Sequence, residues 1–196
     1  NASLTIDKDV IVSTDYCYGI SIFGKNTKET LTILGKVSTT GEAPAIAGNG
    51  HKDYGGSEVS ITISESAIVE STKTYAIYHP QKGTLNINGT VDGGFEIKSG
   101  STAVIGENAI VKANGQGPSH TASSNGTSTN GYAIAVVENS AYAGSPTVTI
   151  GEKSTIIGTI NIFVDNEVAE GKKGKIVVNG GSFTDRRKRR LRVCRQ

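Results

Sequence analysis

The chain has 196 residues, a formal net charge of +2, 25 glycines, four Phe and seven Tyr, and neither Trp nor Met. That length is one domain or at most two and buries a real core, and no apolar run reaches the roughly 18 residues a membrane-spanning helix needs. The net charge conceals two unlike parts: up to Asp185 there is no arginine and 13 lysines face 18 acidic residues, a net of −5, whereas Arg186 to Gln196 carry +7.

An acidic body carries no electrostatic footprint for nucleic acid. Two cysteines, Cys17 and Cys194, imply neither a disulfide framework nor a thiolate zinc site. Asn1 is not an initiator residue, so the chain reads as a mature or excised segment.

In chain order the first element is Ser3-Leu4-Thr5-Ile6, whose second and fourth residues are apolar and whose first and third are hydroxylated. That period of two marks a half-buried strand. The tetrad returns as Thr30-Leu31-Thr32-Ile33, Ser60-Ile61-Thr62-Ile63, Thr84-Leu85-Asn86-Ile87, Thr102-Ala103-Val104-Ile105, Thr147-Val148-Thr149-Ile150 and Lys175-Ile176-Val177-Val178. Each copy precedes a turn, such as Asn88-Gly89 or Asn179-Gly180-Gly181, and then a second apolar strand marked by Val12, Val37, Val69, Val91, Val111, Ile156 or Ser182. A third strand is expected in all but the last unit, at Tyr18-Gly19-Ile20, Pro44-Ala45-Ile46, Tyr75-Ala76-Ile77, Phe95-Glu96-Ile97, Tyr132-Ala133-Ile134 and Ile160-Asn161-Ile162.

Three strands and three corners per unit make one coil of an all-β, right-handed parallel β-helix solenoid of six to seven coils, with equivalent strands about 4.8 Å apart. An antiparallel sandwich has no reason to repeat its tetrad in order. Length varies only in polar, glycine-rich insertions at 47–58, 113–131, 136–146 and 165–174, which a solenoid tolerates at its corners. The domain is expected over 1–185. The basic tail, 186–196, breaks with the repeat so abruptly that it reads as disordered or of foreign origin, with an anionic-surface patch as the alternative.

With its Leu-Thr-Ile tetrads, the Tyr-Ala-Ile pieces at Tyr75 and Tyr132, the Ala-Ile-Val pieces at Ala67 and Ala109, and Asn179-Gly180-Gly181-Ser182-Phe183, the chain resembles right-handed parallel β-helix domains of the pectate-lyase-like superfold from bacterial surface and secreted proteins. The resemblance implies an extracellular or cell-surface, adhesin-like binding module. The superfold also contains polysaccharide lyases and glycoside hydrolases, so a polysaccharide-degrading enzyme is the alternative and a passive spacer the third reading. The lyase chemistry implied by the resemblance uses an arginine base, and the body has none. Glycoside hydrolysis needs two carboxylates about 5 to 10 Å apart, and the outward tetrad positions carry none.

No catalytic residue, metal ligand or cofactor is assigned from the sequence. His51, His79 and His120 lie in corners without zinc-type spacing and read as solvated loop histidines. The outward Ser/Thr columns suggest an ice-binding face, but few coils keep both threonines and sheets favour β-branched residues in any case. Asn88-Gly89-Thr90 and Asn125-Gly126-Thr127 fit the glycosylation pattern, which matters only in a eukaryotic secretory host. Sugar recognition calls for aromatic faces beside amides, carboxylates and hydroxyls. The corners after the third strands supply His51, Asp53 and Tyr54, then Tyr78 and His79, then Glu138, Asn139 and Tyr142, and should cluster. The expected partner is a glycan or host surface protein, contacted there.

Overall fold

The computed structural model describes residues 1–51, 57–165 and 173–185. Alternating aliphatic and hydroxylated residues make each tetrad a strand with one apolar face, and glycine or asparagine turns send the chain round a corner before the next.

The first coil holds β1 (Ala2–Ile6), β2 (Ile11–Thr14) and β3 (Ile20–Ile22), and the second β4 (Lys28–Ile33), β5 (Lys36–Thr39) and β6 (Ile46–Gly48). The third holds β7 (Glu58–Ile63), β8 (Ile68–Ser71) and β9 (Ile77–His79), and the fourth β10 (Lys82–Ile87), β11 (Thr90–Gly93) and β12 (Phe95–Ile97). In the fifth, β13 (Ser101–Ile105) and β14 (Ile110–Ala113) lead into a small antiparallel hairpin, β15 (Ser119–His120) and β16 (Thr129–Asn130), before β17 (Ile134–Asn139). The sixth has β18 (Thr147–Ile150), β19 (Thr155–Ile157) and β20 (Ile160–Asp165), and the seventh β21 (Lys175–Val178) and β22 (Ser182–Thr184).

First strands pair only with first strands, second with second and third with third, giving parallel sheets of seven, seven and six strands. The chain is a parallel β-helix solenoid of about seven coils with three strands per coil. Register follows the tetrads: Leu31 pairs with Ile61, Leu85 with Ala103 and Val148 with Ile176. Inside the rod, Leu31, Ile33, Ile61, Ile63, Leu85, Ile87, Val148 and Ile150 are buried facing Ile20, Ile46, Ile77, Ile97 and Ile134 in one core.

Three expectations change. Third strands in four coils begin at the last residue of the predicted triplet (Ile20, Ile46, Ile77, Ile134) rather than at its first. The preceding residues form the corner, where the amide of Ala76 bonds the carbonyl of Gly94 on the next coil. Ile162 faces inward in register with Val136 yet is 39 % exposed, because no third strand is seen beyond it among the described residues of the seventh coil. Two of the three histidines are not solvated: His79 ends β9 and is fully buried, and His51 is buried, whereas His120, on β15 of the long connection, is exposed.

The described chain contains no helix long and apolar enough to cross a membrane. The basic tail lies outside the described residues.

Candidate functional site

The outer face of the third sheet is where the coils stop being equivalent. One row along it, fixed by register, runs Ser21, Ala47, Tyr78, Glu96, Ala135 and Asn161. On an open solenoid these side chains would meet water. Here the long connection between β14 and β17 folds back across the middle of the sheet, where Tyr78, Glu96 and Ala135 are buried, while Ser21 and Asn161 at the two ends stay exposed.

Backbone acceptors of the third coil hold the base of that connection. The Asn114 side chain donates to the carbonyl of Thr74 at 2.9 Å, and Asn130 donates to that of Lys73 at 3.0 Å. Further along, His120 stacks on Phe163 with ring centroids 4.3 Å apart and meets the Asp165 carboxylate at 2.6 Å.

Beneath the middle of the connection lies a buried ionic and phenolic network. The Glu96 carboxylate accepts from the Ser128 and Thr129 amides and, at 2.6 Å, from the Thr129 hydroxyl. With that proton committed, the Tyr75 hydroxyl donates to Thr129 Oγ1 at 2.6 Å. The Lys98 ammonium donates to the Gly126 carbonyl at 2.7 Å and Ser128 Oγ at 2.8 Å, lies 3.4 Å from Glu96, and sits 5.0 Å from the centroid of the Tyr142 ring. Neither charged side chain is exposed. Burial pushes the Glu96 carboxyl up and the Lys98 ammonium down, each opposed by the charge of the other. Burial likewise raises the phenols of Tyr75, Tyr78 and Tyr142, so all three serve as neutral donors.

The tip of the connection, Asn125 to Thr127, walls one side of a groove of about 490 Å³ whose other lining residues belong to the first three coils. Tyr78 and Thr74 line its inner side and Pro44, Gly48 and Asn49 belong to the second coil. The opposite wall is aromatic: Tyr16, Tyr18 and Phe23, at 87 %, 44 % and 65 % exposure, flank β3. Glu42 is the one formally charged residue among the described residues lining it, and the Lys73 ammonium stands 3.3 Å from its carboxylate at the rim.

Several residues singled out in the sequence come together here, but as buried groups. Tyr78 and Tyr142 touch through their hydroxyls, and the Tyr142 ring meets the His51 ring edge-on at 5.8 Å. Asn139 is buried, donating to the Ser123 carbonyl and accepting from the Ala141 amide. Glu138 is buried at the end of β17. His79 points into the rod instead, where burial lowers it from its ordinary 6.5 to about 4. Asp53 and Tyr54 lie outside the described residues. Sequence reasoning missed Tyr16, Tyr18, Phe23, Glu42 and Asn49; the available signal was the pair of tyrosines in Asp15-Tyr16-Cys17-Tyr18 just before the first third strand.

Fold and site together define a parallel β-helix solenoid with an aromatic-walled groove on one face. The chain matches no family model, no curated protein and no solved structure.

Proposed function

We propose that the protein is a non-catalytic, adhesin-like binding module of a bacterial surface or secreted protein, and that it holds a neutral glycan, free or on a host surface protein, in the groove beside β3. The observation that carries this reading is the trio of exposed rings, Tyr16, Tyr18 and Phe23, across from a hydroxyl and amide rim. Sugar rings present apolar C–H faces that pack on aromatic side chains, while their hydroxyls bond carboxylates and amides. Glu42, Asn49, Asn125 and Thr127 supply those partners.

Charge selects within the class. The one formal charge lining the described groove, Glu42, is paired with Lys73 at the rim, so that lining offers no uncompensated cation to a uronate, sulfate or phosphate. A lone carboxylate also falls short of the pair that glycoside hydrolysis uses, which favours binding over cleavage.

The test is binding of the full chain to arrays of neutral and acidic glycans and to mucin, beside Tyr16→Ala and Tyr18→Ala, with products assayed for new reducing or unsaturated ends. The expected result is binding to neutral glycans, weakened about tenfold by either substitution, with no product. Absence of any ligand across the arrays would favour a spacer, and product formation would favour the enzyme.

A further inference from the structure

A fully buried lysine on the outer face of a solenoid sheet needs an explanation. Lys98 directs its donors at three acceptors: the Gly126 carbonyl, Ser128 Oγ and the Glu96 carboxylate. Two of the three belong to the connection that walls the groove. Gly126 itself lines the groove, between Asn125 and Thr127.

Stability alone does not call for such a pair. Replacing a buried ion pair by apolar residues of similar volume is often neutral or stabilising, so what the charges add is geometry. At this place the geometry is specific. The Gly126 carbonyl receives Lys98 at 2.7 Å and the Tyr78 hydroxyl at 2.8 Å, which seats the tip directly above the third and fourth coils. Glu96 holds the next two residues by their amides. The tip lies outside the rung ladders, its own hydrogen bonds being the turn between Ser123 and Asn125 and the link from the Thr121 amide to the Ser128 carbonyl.

We propose that Lys98, with Glu96 as its counter-charge, is the positioning residue of the groove: it seats the tip Asn125–Thr127 and thereby sets the groove's width and the shape of ligand it admits. The consequence for ligand selectivity rests on the glycan reading above, whereas the consequence for the tip does not. A seated tip holds the wall close to Tyr78 and favours an unbranched chain lying along the ring trio. Released, it admits bulkier, branched ligands and grips a linear one less well.

The experiment compares the full chain with the double variant Lys98→Met/Glu96→Gln, which removes both charges together so that neither is stranded. Amide hydrogen exchange reads the tip through the Thr121 and Asn125 amides, whose acceptors the variant leaves in place, against the rung amides of Leu85 and Ile97. Binding is read with two neutral probes, a linear glucan hexasaccharide and a branched galactomannan oligosaccharide. Expected are about tenfold faster exchange at the tip with rung amides unmoved, and a linear-to-branched affinity ratio lowered about tenfold. A merely structural role would lower stability without moving that ratio. Unchanged tip exchange overturns the proposal whatever the probes do, and a faster tip with an unchanged ratio overturns its selectivity half. A faster tip with neither probe bound by the wild type leaves the positioning role standing and removes the glycan reading. If the double variant loses its strand signal, Lys98→Gln/Glu96→Gln reads the same amides with both charges gone and a polar side chain kept at each position.

Discussion

The hydroxyls of Tyr78 and Tyr142, 64 residues apart in the chain, lie 3.0 Å from one another. Tyr78 spends its single proton on the Gly126 carbonyl, so Tyr142 is the donor between them. Tyr78→Phe leaves the Tyr142 hydroxyl without that acceptor, and Gly126 keeps Lys98. A loss of about 1–2 kcal/mol is expected, read as a lower urea midpoint with unchanged slope. An unshifted midpoint would show that the phenol pair contributes no net stability.

His79 gives the chain an acid sensitivity. It is fully buried, its ring nitrogens make no well-formed hydrogen bond, and the nearby Gln81 side chain only partly offsets the burial that lowers it to about 4. A depressed folded-state value means stability that is present above the unfolded value of 6.5 and is lost as pH falls towards about 4. The shift corresponds to about 3 kcal/mol at most. Urea midpoints at pH 7 and pH 4 should therefore differ by less in His79→Gln than in the wild type. Equal differences in the two proteins would remove His79 from the acid response.

The repeat was legible because a period of two and a return of the same tetrad leave one register in which every aliphatic residue faces inward, and Leu31 opposite Ile61 follows from it. The third strand was less so, because Tyr-Ala-Ile reads as three strand residues although Tyr75 and Ala76 belong to the corner. The site was legible only in part. Phe95-Glu96-Ile97-Lys98 alternates like a half-exposed strand, and nothing local to it says that a connection thirty-odd residues on supplies acceptors and donors that bury both charges. The size of the insertion at 113–131 was the one hint that something covers that sheet.

Core truncation should depend on place along the rod. Leu85, in the middle coil, is fully buried, whereas the equivalent Leu4 of the first coil is 47 % exposed. Leu85→Ala is expected to cost about 2–5 kcal/mol, and Leu4→Ala less than about 1 kcal/mol. Thermal or urea unfolding of the two variants decides it. Near-equal costs would mean that the first coil is packed as tightly as the fourth.

Two glycines with left-handed backbone separate conformational strain from steric overlap. At Gly126 the φ is +73° and an added Cβ would meet nothing within 4 Å, so alanine there costs only the left-handed penalty of about 1–2 kcal/mol. At Gly83 the φ is +117° and the added Cβ would overlap the Val59 carbonyl of the preceding coil. That carbonyl belongs to β7, paired in register with β10. Clearing the overlap means moving two coils apart, which lengthens ladder bonds on both sides. Gly83→Ala should therefore destabilise by several kcal/mol, beyond the roughly 1–3 kcal/mol that an unfavourable φ alone accounts for, and should expose neighbouring rung amides to exchange. If Gly83→Ala and Gly126→Ala shift the melting temperature equally, backbone conformation rather than the close approach of consecutive coils governs both positions.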